Sequence, residues 1–166
     1  MKKAVLFLVL ILSLSGCDKN FVPGKDDIAR VYSGDFFAFA ETEDTGIEIS
    51  KNGMSISFIA KYPEEIEGLS VVLFDEHAKI EFEGMTQEIK AENLPQKALF
   101  LLIDELLDSL SDPEDFSLST ENGKIIASGE DFSAVLSEED FSVVTVVFPR
   151  YDEKIIFSEW IFYSDK

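Results

Sequence analysis

What most restricts the fold of this chain is the spacing of its apolar residues. From Asp35 onward they recur mainly in short runs with a period of two, and turn residues cut the runs apart. That period puts one side of a strand on a core and the other toward solvent, so it selects antiparallel β-structure. In the run 35–42, Phe37 and Phe39 share one face while Phe36, Ala38 and Ala40 share the other. Asn52-Gly53 accepts positive φ at both positions and predicts a tight hairpin between a run at 47–49 and the alternating Met54, Ile56, Phe58 and Ala60. A second hairpin crosses Asp75-Glu76-His77, joining 69–73 to 78–82, and a short strand follows near 85–89. Asn122-Gly123 and the turns at 137–140 and 149–152 separate the later runs, and 154–163 is the closing strand.

One segment breaks the alternation. Pro95, after Asn93-Leu94, suits the first turn of a helix, and Leu99, Leu102, Ile103, Leu106, Leu107 and Leu110 follow helical spacing. Asp104, Glu105 and Asp108 lie opposite that stripe, and Ser111-Asp112-Pro113 ends it. The expected domain is mainly β with one helix (α+β). It is a curved antiparallel sheet or half-barrel of about nine strands, too many to lie flat, wrapped around a helix at about 95–110.

The front of the chain reads as an address. Lys2 and Lys3 precede an unbroken apolar run at 4–12, too short to span a bilayer, and Leu14-Ser15-Gly16-Cys17 follows with the only cysteine in the sequence. This segment resembles the lipobox of bacterial lipoproteins. The resemblance implies a diacylglycerol on the Cys17 thiol, cleavage that leaves Cys17 as the new N-terminus, and two or three acyl chains, palmitate among them, on that residue. Asp18 looks like the residue that retains enteric lipoproteins on the inner membrane. Residues 1–16 are then a removed signal peptide, 17–27 a lipidated tether, and 28–166 a single β-rich domain. Two or more acyl chains anchor stably, so the expected place is the extracytoplasmic face of the cell membrane.

Charge narrows the partners. The chain has 33 acidic and 14 basic residues, and removal of Lys2 and Lys3 with the signal takes its formal charge from −19 to −21. Such a field repels phosphate backbones and anionic headgroups, which argues against nucleic acid and against a surface pressed onto a membrane. The membrane is expected as a partner only through the lipid anchor.

The middle of the chain carries a second likeness. Tyr62-Pro63, Glu67-Gly68-Leu69, Phe82-Glu83-Gly84-Met85 and a helix led by Leu94-Pro95 resemble a group of small clostridial-type lipoproteins. Those are similar in architecture to the carriers that sort lipoproteins to the outer membrane, in which an open half-barrel holds a greasy cavity under helices. The likeness implies a tethered acceptor or binding module.

Catalytic chemistry has few candidates. His77 is the sole histidine and no free cysteine would remain to join it in a triad or metal set, so no catalytic residue, metal ligand or cofactor beyond the Cys17 lipid is expected. The acidic runs at 112–115 and 138–140 read as solvated turns. What remains is apolar surplus, because several strands carry large apolar residues on both faces. The expected ligand cleft lies between sheet and helix and is lined by Phe37, Phe39, Phe58, Phe82, Leu99, Leu102, Ile103 and Trp160, with a lipid, an acyl chain or another hydrophobic molecule as ligand. The alternative is an envelope protein-protein interaction module with a fully packed core. Neither is an enzyme.

Overall fold

The computed structural model describes residues 23–95 and 98–163, so the signal segment, Cys17 and the first part of the tether lie outside the described residues. In chain order the elements are α1 (Lys25–Ser33), β1 (Asp35–Glu41), β2 (Gly46–Asn52), β3 (Ser55–Tyr62), β4 (Ser70–Phe74), β5 (His77–Phe82), β6 (Met85–Lys90), α2 (Leu99–Ser111), β7 (Ser117–Glu121), β8 (Lys124–Ser128), β9 (Ser133–Leu136), β10 (Val143–Phe148) and β11 (Glu153–Tyr163). All the strands join one antiparallel sheet of 11 strands in the order β6-β5-β4-β3-β2-β1-β11-β10-β9-β8-β7. Two meanders are thus stitched together where the first strand pairs with the last, and α2 is the crossover from one free edge to the other. No pairing joins β6 to β7, so the sheet is open.

This corrects the expectation of about nine strands and one helix: among the described residues the sheet has 11 strands, and two α-helices accompany it. The edge strands carry the weakest sequence signal. Every residue of β6 except Ile89 is exposed, as is every residue of β7 except Leu118, so neither shows an alternation that a buried face would impose. The additional helix is α1, whose first turn uses residues of the segment read as tether. Its start is marked by Gly24, whose N–H donates to Asp27 Oδ2 at 3.1 Å, and by Asp26 and Asp27 at the positive end of the helix dipole.

The sheet's inner face is set by volume. Ala38, Ile49, Phe58, Val71, Ile80 and Gln87 are successive cross-strand partners from β1 to β6 and form one inward row. Small residues, Ala38 and Ala40 on β1 and the paired Ala127 and Ala134 on β8 and β9, are buried in the same core cluster as the large side chains of α2. They leave room for Leu102, Ile103, Leu106, Leu107 and Leu110, each at most 1% exposed. Burial at this level stabilises by about 1.5–3 kcal/mol per large apolar side chain, so α2 is held by the sheet more than by its own propensity.

One end of this core is closed by an aromatic plug. A bulge in β11 places two residues, Glu159 and Trp160, opposite the single Ala38, since Phe37 pairs with Ile161 but Phe39 with Ser158, and Glu159 takes φ 57° to accommodate it. Phe157 and Trp160 can therefore both face inward, stacked with ring centroids 5.5 Å apart, and Phe162 stacks on Trp160 at 5.3 Å. Tyr32 of α1 meets Trp160 edge-on at 5.8 Å. The buried hydroxyl of Tyr32 donates to the Phe141 carbonyl at 2.9 Å and accepts from the Val143 N–H at 2.8 Å. Burial pushes that phenol far above its ordinary range. Trp160 Nε1 donates to the Val143 carbonyl at 2.8 Å.

The outward side of α2 carries carboxylates in an unfavourable setting. Asp104 is pushed up to about 6, first by desolvation and then by the Asp108 charge, with Lys51 partly compensating. Glu105 is raised by burial and by Asp131. A carboxyl whose folded value lies above its unfolded value favours the protonated folded state. Its cost is fully present above pH 6 and is relieved as pH falls toward 4.

Two outcomes follow from this packing. Tyr32→Phe keeps the ring but strands the Val143 N–H, and is expected to cost about 1–3 kcal/mol, lowering the melting temperature by roughly 2–4 °C per kcal/mol in thermal unfolding followed by circular dichroism. Asp104→Asn is expected to raise the melting temperature by a few degrees at pH 7.5 and to flatten the gain that the parent shows between pH 7.5 and 5. A variant no more stable than the parent at pH 7.5 would disprove the assignment.

Candidate functional site

Among the recesses of the described residues two are mostly apolar, and they lie side by side on the inner face, the first of them at the start of α2. The first is a cavity of about 190 Å³ lined by Thr45, Ile47, Phe58, Ala60, Ile66, Leu69, Val71, Leu99 and Phe100. Thr45 is the one polar side chain in that lining. Local sequence explains the shape. Residues 63–69 fold back on β3, with the Gly68 N–H donating to the Ala60 carbonyl at 2.8 Å and the Ala60 N–H to the Leu69 carbonyl at 2.9 Å. Gly68 sits at φ 83°, where a Cβ is disfavoured. This turn brings Ile66 over the cavity, and Phe100 closes it from the helix side with its ring 6.1 Å from that of Phe58.

The second place is a shallow hollow lined by Ile80, Phe82, Met85, Thr86 and Gln87 on β5 and β6. Val71 of the cavity and Ile80 of the hollow are cross-strand partners, so the two lie on one continuous apolar trough. Met85, 67% exposed, shows how little covers its outer end. Beside the cavity, and sharing Thr45 and Leu99 with it, opens a crevice of about 660 Å³ lined by Glu41, Glu43, Asp44, Asp152, Glu153 and Lys154 among others.

The eight expected cleft residues separate into four groups. Phe58 and Leu99 line the cavity, and Phe82 lines the hollow. Leu102 and Ile103 are buried in the core, Leu102 touching the crevice. Trp160 faces inward but belongs to the aromatic plug with Tyr32 and Phe36. Phe37 and Phe39 alternate with the buried Phe36, Ala38 and Ala40, which turns them to the convex face, away from α2. Their convex neighbours Ile156 and Ile161 are 43% and 52% exposed. The cleft is therefore filled by side chains around Leu102 and Ile103 and open near the start of the helix, with a more polar recess between Ile56, Leu73 and Asp104.

Residues that the sequence did not single out for the site are Ile47, Ala60, Ile66, Leu69, Val71 and Phe100. The period-two pattern of β2 to β4 already put Ile47, Ala60, Leu69 and Val71 on the face of Phe58. Ile66 had no such signal, because it lies in a turn. Cys17 is outside the described residues. His77 is the first residue of β5, stacked on Phe74 with centroids 5.9 Å apart. Among the described residues no three His, Cys, Asp or Glu side chains are grouped to hold a metal ion, and no helix is long and apolar enough to cross a membrane. In the acidic turns, Asp112 Oδ1 accepts from the Glu114 N–H and Asp140 Oδ1 from Ser142, so these carboxylates organise their own loops.

No protein-family model matches the chain, and no curated protein is similar to it in sequence. Solved structures are similar to it in shape. An uncharacterised conserved protein from Thermus thermophilus superposes with a TM-score of 0.53 at 9% identity, over 85% of this chain and 86% of that one. A LolA superfamily protein from Nitrosomonas europaea gives a TM-score of 0.42 at 9% identity, over 86% of this chain and 92% of that one. The likeness to the Thermus protein is one of fold.

Proposed function

We propose that this chain is a lipid-anchored, non-catalytic binding protein that takes the apolar part of a lipid, an acyl chain or another hydrophobic molecule into the trough at the start of α2. The observation that carries this reading is the cavity itself. It is nearly free of polar atoms, and the trough continues from it across Val71 and Ile80 to an uncovered apolar rim at Phe82 and Met85. A core needing only to be packed has no use for such an opening, whereas ligand sites are concave and mostly apolar with few polar groups. At about 190 Å³ the cavity is smaller than a typical site, so it suits a chain end more than a bulky ring system. The lipobox-like start of the chain supports the anchoring half of the reading, and an anchor there would hold the trough within reach of membrane-derived ligands.

Both halves can be tested. The chain from Asp18 to Lys166, prepared without detergent, is expected to carry a lipid or fatty acid in native mass spectrometry and organic extraction. Leu69→Trp, which fills the trough, is expected to lose that mass while keeping its far-ultraviolet spectrum. A clean apo mass that stays unchanged after incubation with lipids would refute the trough reading and leave the exposed convex face, with Ile156 and Ile161, as the place to seek a protein partner. For the anchor, Cys17→Ser is expected to abolish incorporation of labelled palmitate in the producing bacterium, and retained labelling would overturn it.

A further inference from the structure

We propose that the occupant of the trough is an amphiphile with a positively charged head, its tail in the apolar cavity and its head in the neighbouring crevice. This rests on the trough reading and deepens it. Cavity and crevice share Thr45 and Leu99, so an apolar chain leaving the cavity past these two residues carries whatever follows it into the crevice. Five carboxylates line that space, from Glu41, Glu43, Asp44, Asp152 and Glu153, against the single ammonium of Lys154. They come from two separate hairpin ends, β1–β2 and β10–β11, with Glu41 closing β1 and Glu153 opening β11, and converge only because β1 and β11 are paired. Arg150, near the second turn, has its guanidinium 3.6 Å from Asp131 and does not line the crevice.

The physical consequence is a selection of head groups. A recess walled by low-dielectric protein focuses the field of the charges on its rim, raising the local concentration of opposite charge by about 10-fold or more. An anionic head, a carboxylate or a phosphate, would have to lose water and approach five like charges. An amine or quaternary ammonium would meet them as counter-charge. The narrowness of the cavity favours a hydrocarbon tail over the side chains of a peptide, which would need a wider groove or a sheet edge to pair with.

The test compares three molecules with one tail. Dodecyltrimethylammonium, dodecyl maltoside and dodecanoate, each below its critical micelle concentration, are titrated by calorimetry into the chain from Asp18 to Lys166, shown folded by circular dichroism. The ammonium is expected to bind about tenfold more tightly than dodecanoate, with the maltoside between them. The ratio is expected to fall at least about threefold in the triple variant Glu43→Gln, Asp44→Asn, Asp152→Asn and to hold in Glu138→Gln, Glu139→Gln, which changes acids on the β9–β10 turn. Equal affinity for the three, or a ratio that the remote pair lowers as much as the rim variant does, overturns the head-group assignment while leaving the trough in place. Failure of all three to bind, or binding unaffected by Leu69→Trp, overturns the trough reading and this proposal with it.

Discussion

Everything in this fold depends on α2 covering the concave face of one very wide sheet. An open sheet of 11 strands curls because its strands twist, and curling exposes an apolar interior that no second sheet among the described residues covers. The 13 residues of α2, joined at one end by Ile28 and Tyr32 of α1, cover it, which is why the α2 stripe of five buried residues is so dense and why alanines of β1, β8 and β9 share its core. The same helix is also the link between the two free edges. Closing the core and connecting the meanders are thus one structural event. Where α2 starts, and the sheet extends beyond it toward β6, coverage runs out, and the trough is what is left.

Much of this is legible in the spacing of apolar residues, and the failures have identifiable physics. The helix stripe from Leu99 to Leu110 is autonomous information, because helical periodicity marks its own buried side. A strand's period of two marks two sides without naming the inner one. In β1 the bulkier Phe37 and Phe39 look like core and the alanines between them like surface, yet the helix needs the volume that alanines leave. Trp160 does face inward, but only the bulge at Glu159, which has no sequence mark, decides that it stacks with Phe157 and Phe162 away from the trough. Hidden behind a Pro-Gly pair that also suits a turn, α1 accounts for the additional helix. Leu99 and Phe58 are legible because both patterns meet there.

The electrostatic character of the chain has a similar division. Its large negative charge is visible in composition and says what it avoids. Where the charges gather is a product of topology, since the β1–β2 and β10–β11 turns are distant in sequence and adjacent only through the pairing of the first and last strands. Composition therefore limits the partners, and the fold distributes that preference over the surface. Asp104 and Glu105 show the cost of concentrating acids on a helix that must also lie against apolar surface.

The chain enters the folded body at one end of α2 and the trough lies at the other. Lys25, just after the point of entry, donates through its ammonium to the Pro113 carbonyl beyond the end of α2, and Ser111 Oγ donates to the Tyr32 carbonyl at 3.1 Å. A helix of 13 residues is about 20 Å long, so this attachment stands well away from Leu99 and Phe100. Mechanical load arriving from the N-terminal side would be borne by α1, by the Tyr32 hydroxyl bonds and by the rings around Trp160. The cavity walls would be shielded from it. A pull on the N-terminal side would thus pass into α1 and the far end of α2 and leave the geometry of the recess as it is.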